Sequence, residues 1–82
     1  MIIVDSWKSF RDLISKYAVR AYVFYKIDEK NESVYIRISA GRVGFEGEYS
    51  KNDEEYREII GWLKEVGAVK VVRAVPEDLF FS

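Results

Sequence analysis

The 82-residue chain has no cysteine and no histidine. Their absence removes disulfides, thiol redox chemistry, thiol nucleophiles, Cys/His zinc sites and the commonest general base. Threonine and glutamine are missing too, and asparagine occurs only at Asn31 and Asn52. With 33% of residues charged and both signs present, this is the composition of a hyperthermophile protein, and a thermophilic origin is expected. No run of roughly eighteen apolar residues occurs, and the apolar opening Met1 to Val4 meets Asp5 at once, without the basic and apolar regions of a leader. A cytoplasmic protein with no membrane contact is expected. The net charge of −1 supplies no whole-molecule field for nucleic acid or an anionic membrane, so any such binding needs a local patch.

A chain this short forms one domain, residues 1–82, and buries little surface per residue. With disulfides and metal sites gone, its stabilisers are an aromatic-rich core, charge networks and oligomerisation, which leads us to expect a homodimer.

The residues present organise around the stretch from Val19 to Tyr49. Val19, Ala21, Val23, Tyr25 and Ile27 alternate with Arg20, Tyr22, Phe24 and Lys26, the period of a two-faced strand. After the polar cluster Asp28 to Ser33, Val34, Ile36, Ile38 and Ala40 resume the apolar side, and Val43, Phe45 and Tyr49 form a third run. A four-residue loop from Glu29 to Glu32 sets Ile27 opposite Val34 and Tyr25 opposite Ile36. A two-residue turn at Ala40 and Gly41 sets Ile38 opposite Val43. Under that register all three apolar faces coincide, and a slip of one residue would expose a whole strand's hydrophobic set.

On either side of this meander the pattern predicts helices. Asp5 or Ser6 caps a stripe of Trp7, Phe10, Leu13, Ile14 and Tyr17. Ser50 or Asn52 caps a second stripe of Tyr56, Ile59, Ile60, Leu63 and Val66, with Gly67 as its left-handed C-terminal residue and Trp62 at its rim or at an interface. Ile2 to Val4 reads as a short edge strand, and the valine-rich Ala68 to Val75 as a strand that ends at Pro76. The expected fold is α+β, a two-layer sandwich of order (β)αβββαβ: an antiparallel three-strand meander plus a C-terminal strand, with two helices on one face.

Most catalytic readings fail on detail. Glu46 and Glu48 share one strand face and could in principle hold Mg²⁺. The helix, three-strand, helix, strand order is similar to the core of restriction-type nucleases, but the lysine that should follow the acid and spacer is missing from Glu46-Gly47-Glu48. Gly41, Gly44 and Gly47 match neither phosphate-binding fingerprint, and no Lys-Ser or Lys-Thr follows them. Gly44-Phe45-Glu46-Gly47 resembles the loop of KH domains but lacks a basic centre. The helix, three-strand, helix order is also shared with double-stranded RNA-binding domains, whose second helix opens on basic residues where this one opens on Asn52, Asp53, Glu54 and Glu55. We therefore expect no enzyme activity, no cofactor, no metal and no small-molecule ligand, with a metal-dependent nuclease-like enzyme as the third-ranked alternative.

The remaining candidate is the polar sheet face of Arg20, Tyr22, Phe24, Lys26, Tyr35, Arg37 and Arg42, with the apolar tail Leu79, Phe80 and Phe81 in residues 77–82. Rings beside cations on a sheet suit single-stranded RNA or DNA, the bases stacking and the cations taking phosphates. They suit pairing with a protein or a second copy equally well. Because Asp28, Glu46 and Glu48 border the face, the expectation is a protein-interaction or accessory module that self-associates through the sheet face and tail. Single-stranded nucleic acid is the alternative partner.

Overall fold

A computed structural model describes residues 1–17 and 20–81, with only the backbone described at Glu77 and Asp78. The elements run β1 (Ile2–Val4), α1 (Trp7–Tyr17), β2 (Val23–Glu29), β3 (Ser33–Ala40), β4 (Val43–Ser50), α2 (Glu54–Glu65), β5 (Val69–Lys70) and α3 (Glu77–Phe80). The strands form one five-stranded mixed sheet of order β1-β4-β3-β2-β5. Strands β2 to β4 are the antiparallel meander, β1 lies parallel to β4, and β5 lies parallel to β2 at the opposite edge. This is the α+β architecture that the hydrophobic pattern implies.

The register differs from the expected one by two residues at both turns. Ile27 pairs with Ile36, Tyr25 with Ile38 and Val23 with Ala40; on the other side Ile38 pairs with Phe45 and Ala40 with Val43. Asp28, Glu29 and Ser33, polar enough to suggest a loop, continue the ladder, and Lys30 N donates to Ser33 O at 2.9 Å to close a tighter turn. Gly41, at φ 62°, opens the second turn. Because side chains alternate with period two, a shift of two leaves every residue on its expected face.

The inner face is the core. Ile36, Ile38, Ala40, Val43 and Phe45 are buried there against Trp7 and Phe10 of α1 and Ile59 and Leu63 of α2. The Trp7 ring lies 5.5 Å from Phe10 and 5.5 Å from Phe45, and Trp62 meets Trp7 edge-on at 5.4 Å, which makes Trp62 a rim member of this cluster. Two residues expected in the helix stripes lie outside: Tyr17 is exposed at the end of α1, and Val66 is exposed at the C-cap of α2.

Helix α1 starts at Ser6, whose Oγ accepts from Ser9 N at 3.3 Å. The cap of α2 is Asp53, rather than Ser50 or Asn52; its Oδ1 accepts from Glu55 N at 2.8 Å. Glu55 is thereby left to accept from the Tyr49 hydroxyl at 2.6 Å, tying the helix start to β4. At the other end, Ala68 N donates to Leu63 O and Gly67 N to Lys64 O, with Gly67 at φ 70° as expected, a Schellman closure.

Strand β5 is much shorter than the predicted Ala68–Val75. After Val71 N donates to Tyr25 O at 2.8 Å, the chain leaves the edge and returns across the outer sheet face. Burial of Phe80 and Phe81 there, worth about 1.5–3 kcal/mol for each ring, outweighs a few more edge hydrogen bonds. The first long strand is shorter at its start: β2 begins at Val23, Arg20 to Tyr22 precede it, and Val19 lies outside the described residues.

Candidate functional site

The outer face is built by the even-numbered residues of β2 and β4 and the odd-numbered residues of β3. Phe24 pairs with Ser39 and Lys26 with Arg37 across β2 and β3, each two residues on from the partner that an Ile27–Val34 register would set. Arg37 therefore sits centrally, between Lys26 on one strand and Glu46 on the other. Two cations facing each other would repel, and the arrangement is relieved by Asp28, whose Oδ2 lies 3.0 Å from Arg37 Nη2.

The tail reaches this central arginine. The Arg37 guanidinium carbon lies 5.7 Å from the Tyr35 ring centroid and 5.7 Å from that of Phe80, and the residue is only 9% exposed. Phe80 and Phe81 meet edge-on at 5.0 Å. Phe81 occupies the space above Gly44: its Cδ1 stands 2.8 Å from where a Cβ on Gly44 would be. A glycine in a central strand usually marks the close approach of another group, and here the group is this ring.

The acids of the face are engaged locally. Tyr35 donates its hydroxyl to Glu46 Oε2 at 2.8 Å, and Glu48 Oε2 accepts from Ser33 Oγ at 3.0 Å and from Lys30 Nζ at 3.2 Å. The Ser33 hydrogen bond, then the Lys30 ammonium, holds the Glu48 carboxyl below its ordinary range. Glu46 and Glu48 are thus held by different donors on the neighbouring hairpin.

The candidate residues divide into two groups. Tyr35 and Arg37 lie under or beside the tail. Tyr22 is 83% exposed and Phe24 40% exposed at the β2 end of the face, and Leu79 of the tail is 63% exposed. Arg20 and Arg42 are exposed in the segments that lead into β2 and β4, and Lys26 is half-buried. Between these parts lies an open cleft of about 470 Å³ walled by Phe24 and Ser39 of the sheet, Tyr22, and Val71, Val75, Leu79 and Phe80 of the returning chain. Ser39, Val71 and Val75 were not candidates on sequence. The signal for the valines was present, since Val69, Val71, Val72 and Val75 occupy both parities and a strand covered on one face needs only one.

No protein-family model matches this chain, and the search of curated proteins returns no match. Among the described residues, no helix is long and apolar enough to cross a membrane.

Proposed function

We propose that this chain is a non-enzymatic interaction module that self-associates, or docks on a protein partner, through its outer sheet face and C-terminal tail. One observation carries the reading: with Phe80 and Phe81 already laid over Arg37 and Gly44, Tyr22, Phe24 and Leu79 still stand exposed around a single cleft. Isolated exposed apolar side chains are ordinary, whereas a contiguous group around a concavity is the mark of a contact surface. A thermophilic, cytoplasmic setting belongs to the same proposal and rests on composition.

Single-stranded nucleic acid is the second reading. Tyr22 and Phe24 with Arg20, Lys26 and Arg42 retain the ring-and-cation chemistry it requires. Less favourable is that Arg37 is committed to Asp28 and Phe80, and that Glu46 and Glu48 face the same side. Protein docking has the better physical support.

Light scattering after size exclusion, on the full chain and on Phe24→Asp, tests the reading. The native chain should elute with the mass of two chains and the variant with the mass of one, at similar melting temperatures. Anisotropy of labelled single-stranded RNA and DNA at two salt concentrations tests the rival. Salt-sensitive binding lost in Phe24→Asp, with the native chain a monomer, would move the assignment to nucleic acid.

A further inference from the structure

The two faces of the sheet carry separate apolar clusters. The inner cluster, built around Phe10, Ile36 and Phe45, contains neither Phe80 nor Phe81. Those two rings are buried on the outer face, Phe80 over Arg37 and Phe81 in the space above Gly44. The chain that leads to them, residues 72–75, makes no backbone hydrogen bond to the sheet among the described residues, and Val72 is 83% exposed. The ladder from β2 to β4 is complete without the tail. Undocking the tail therefore breaks none of these strand pairs and removes no member of the inner cluster.

At Arg37 the docked tail works against itself. The Phe80 ring takes the guanidinium out of water, leaving the residue 9% exposed and its Nε buried without a hydrogen-bond partner among the described residues. Asp28 answers the charge at Nη2 and leaves Nε unanswered. Burial of two aromatic rings favours the closed tail, and desolvation of a cation opposes it, so closure stands on the difference between two large terms. A segment held by such a difference, outside the main core and off the hydrogen-bonded ladder, opens at a lower free energy than the whole domain.

We infer that residues 76–81 are an intramolecular latch: the tail leaves the outer face as a unit while the sheet and inner core stay folded, and its departure returns Arg37 to water. Leu79 and Phe80 also wall the cleft beside Tyr22 and Phe24, so the same movement widens that cleft. Closed, the latch keeps Arg37 from anything that docks on the face; open, it adds a cation to the ring-lined surface there. The device goes beyond the self-association proposed above and does not depend on it.

Hydrogen exchange followed by NMR on the full native chain tests the latch, because the Arg37 Nε–H lies directly beneath it. Its exchange should be at least tenfold slower than that of the Nε–H groups of the exposed Arg20 and Arg42. Its protection should also be at least a hundredfold weaker than that of the Ile36 and Ile38 amides in the central strand, and insensitive to low urea. Protection equal to that of Ile36 and Ile38, with the same urea dependence, would mean that the tail leaves only when the domain unfolds, and overturns the proposal. Exchange as fast as at Arg20 overturns it as well, since no closed state then exists. The measurement is made at two protein concentrations: protection that rises with concentration would make a second copy the cover, whereas constant protection is the expected result whatever mass light scattering gives. In Phe80→Ser with Phe81→Ser, the Arg37 Nε–H should exchange as fast as that of Arg20, with the Ile36 and Ile38 amides within about threefold of the native chain. Nε–H protection that survives the loss of both rings overturns the latch, and the native measurement decides the question should this variant fail to fold.

Discussion

Arg37 Nη2 and Asp28 Oδ2 stand 3.0 Å apart on the outer face, and the two partners are unequally solvated: the arginine side chain is 11% exposed and the aspartate 47%. The guanidinium lies between the Tyr35 and Phe80 rings, and its Nε is buried with no hydrogen-bond partner among the described residues. Asp28 is thus the principal compensation for a charge that the tail has taken out of water.

Removing the two partners should therefore have unequal effects. Asp28→Asn keeps a buried guanidinium but weakens its compensation, and should cost about 1–2 kcal/mol in urea unfolding. Arg37→Met removes the charge, keeps an unbranched apolar stem under Phe80, and should cost less than about 1 kcal/mol. The double variant should resemble Arg37→Met. An Asp28→Asn protein as stable as the native chain would show that the ion pair contributes nothing and that the arginine is held by its ring contacts.

A long-range hydrogen bond, from Trp7 Nε1 to Glu58 Oε2 at 2.7 Å, ties the two helices together. Glu58→Gln retains a carbonyl oxygen that can accept from the indole and should stay within about 0.5 kcal/mol of the native chain. Glu58→Ala leaves the N–H of a residue that is 4% exposed without its acceptor and should cost about 1–2 kcal/mol. Thermal melts of the two variants distinguish these outcomes; equal losses would show that the carboxylate's charge, rather than its acceptor oxygen, matters.

The face of each strand residue could be read from sequence because the pattern is binary: Val23 and Tyr25 point inward and Phe24 outward under any register shifted by an even number. Turn length was less legible. Asp28, Glu29 and Ser33 have weak strand propensity, and it is their pairing with Tyr35, Val34 and Ser50 that makes them strand. The course of the tail could not be read at all from periodicity, since which face Phe80 and Phe81 cover depends on where β5 leaves the sheet. Gly44 was the available clue. A side-chain-free position opposite Ser39 needs an occupant, and that occupant is Phe81.

Two glycines with open space around them should respond to alanine in opposite directions. Gly61 lies inside α2, with nothing within 4 Å of a Cβ placed there, so Gly61→Ala should stabilise by about 0.5–1 kcal/mol through helix propensity. Gly67 is equally uncrowded but sits at φ 70°, where a Cβ is strained, so Gly67→Ala should destabilise by about 1 kcal/mol. Urea midpoints check both. Losses of equal size at the two positions would point to crowding, which neither site has, and would overturn the conformational account.

Tyr49 should make stability fall at alkaline pH. Burial first, then the hydrogen bond to Glu55 and the charges of Glu55 and Asp53, push its hydroxyl well above the ordinary value of 10.0. Tyr56, whose ring stacks on it at 6.2 Å, is also raised, by burial and the charge of Glu29. An acid whose pKa is higher in the folded protein than in the unfolded chain adds stability that is complete below the unfolded value. That stability is lost as pH climbs from about 10 through the folded value, because the unfolded chain releases the proton first. At pH 7, Tyr49→Phe should cost about 0.5–1.5 kcal/mol for the lost bond to Glu55. Above about pH 10 the native chain surrenders this advantage, so the gap between the two urea midpoints should close there. A gap that stays constant from neutral to strongly alkaline pH would mean that Tyr49 ionises as readily in the folded state as in the unfolded one, and that its contact with Glu55 does not discriminate between protonation states.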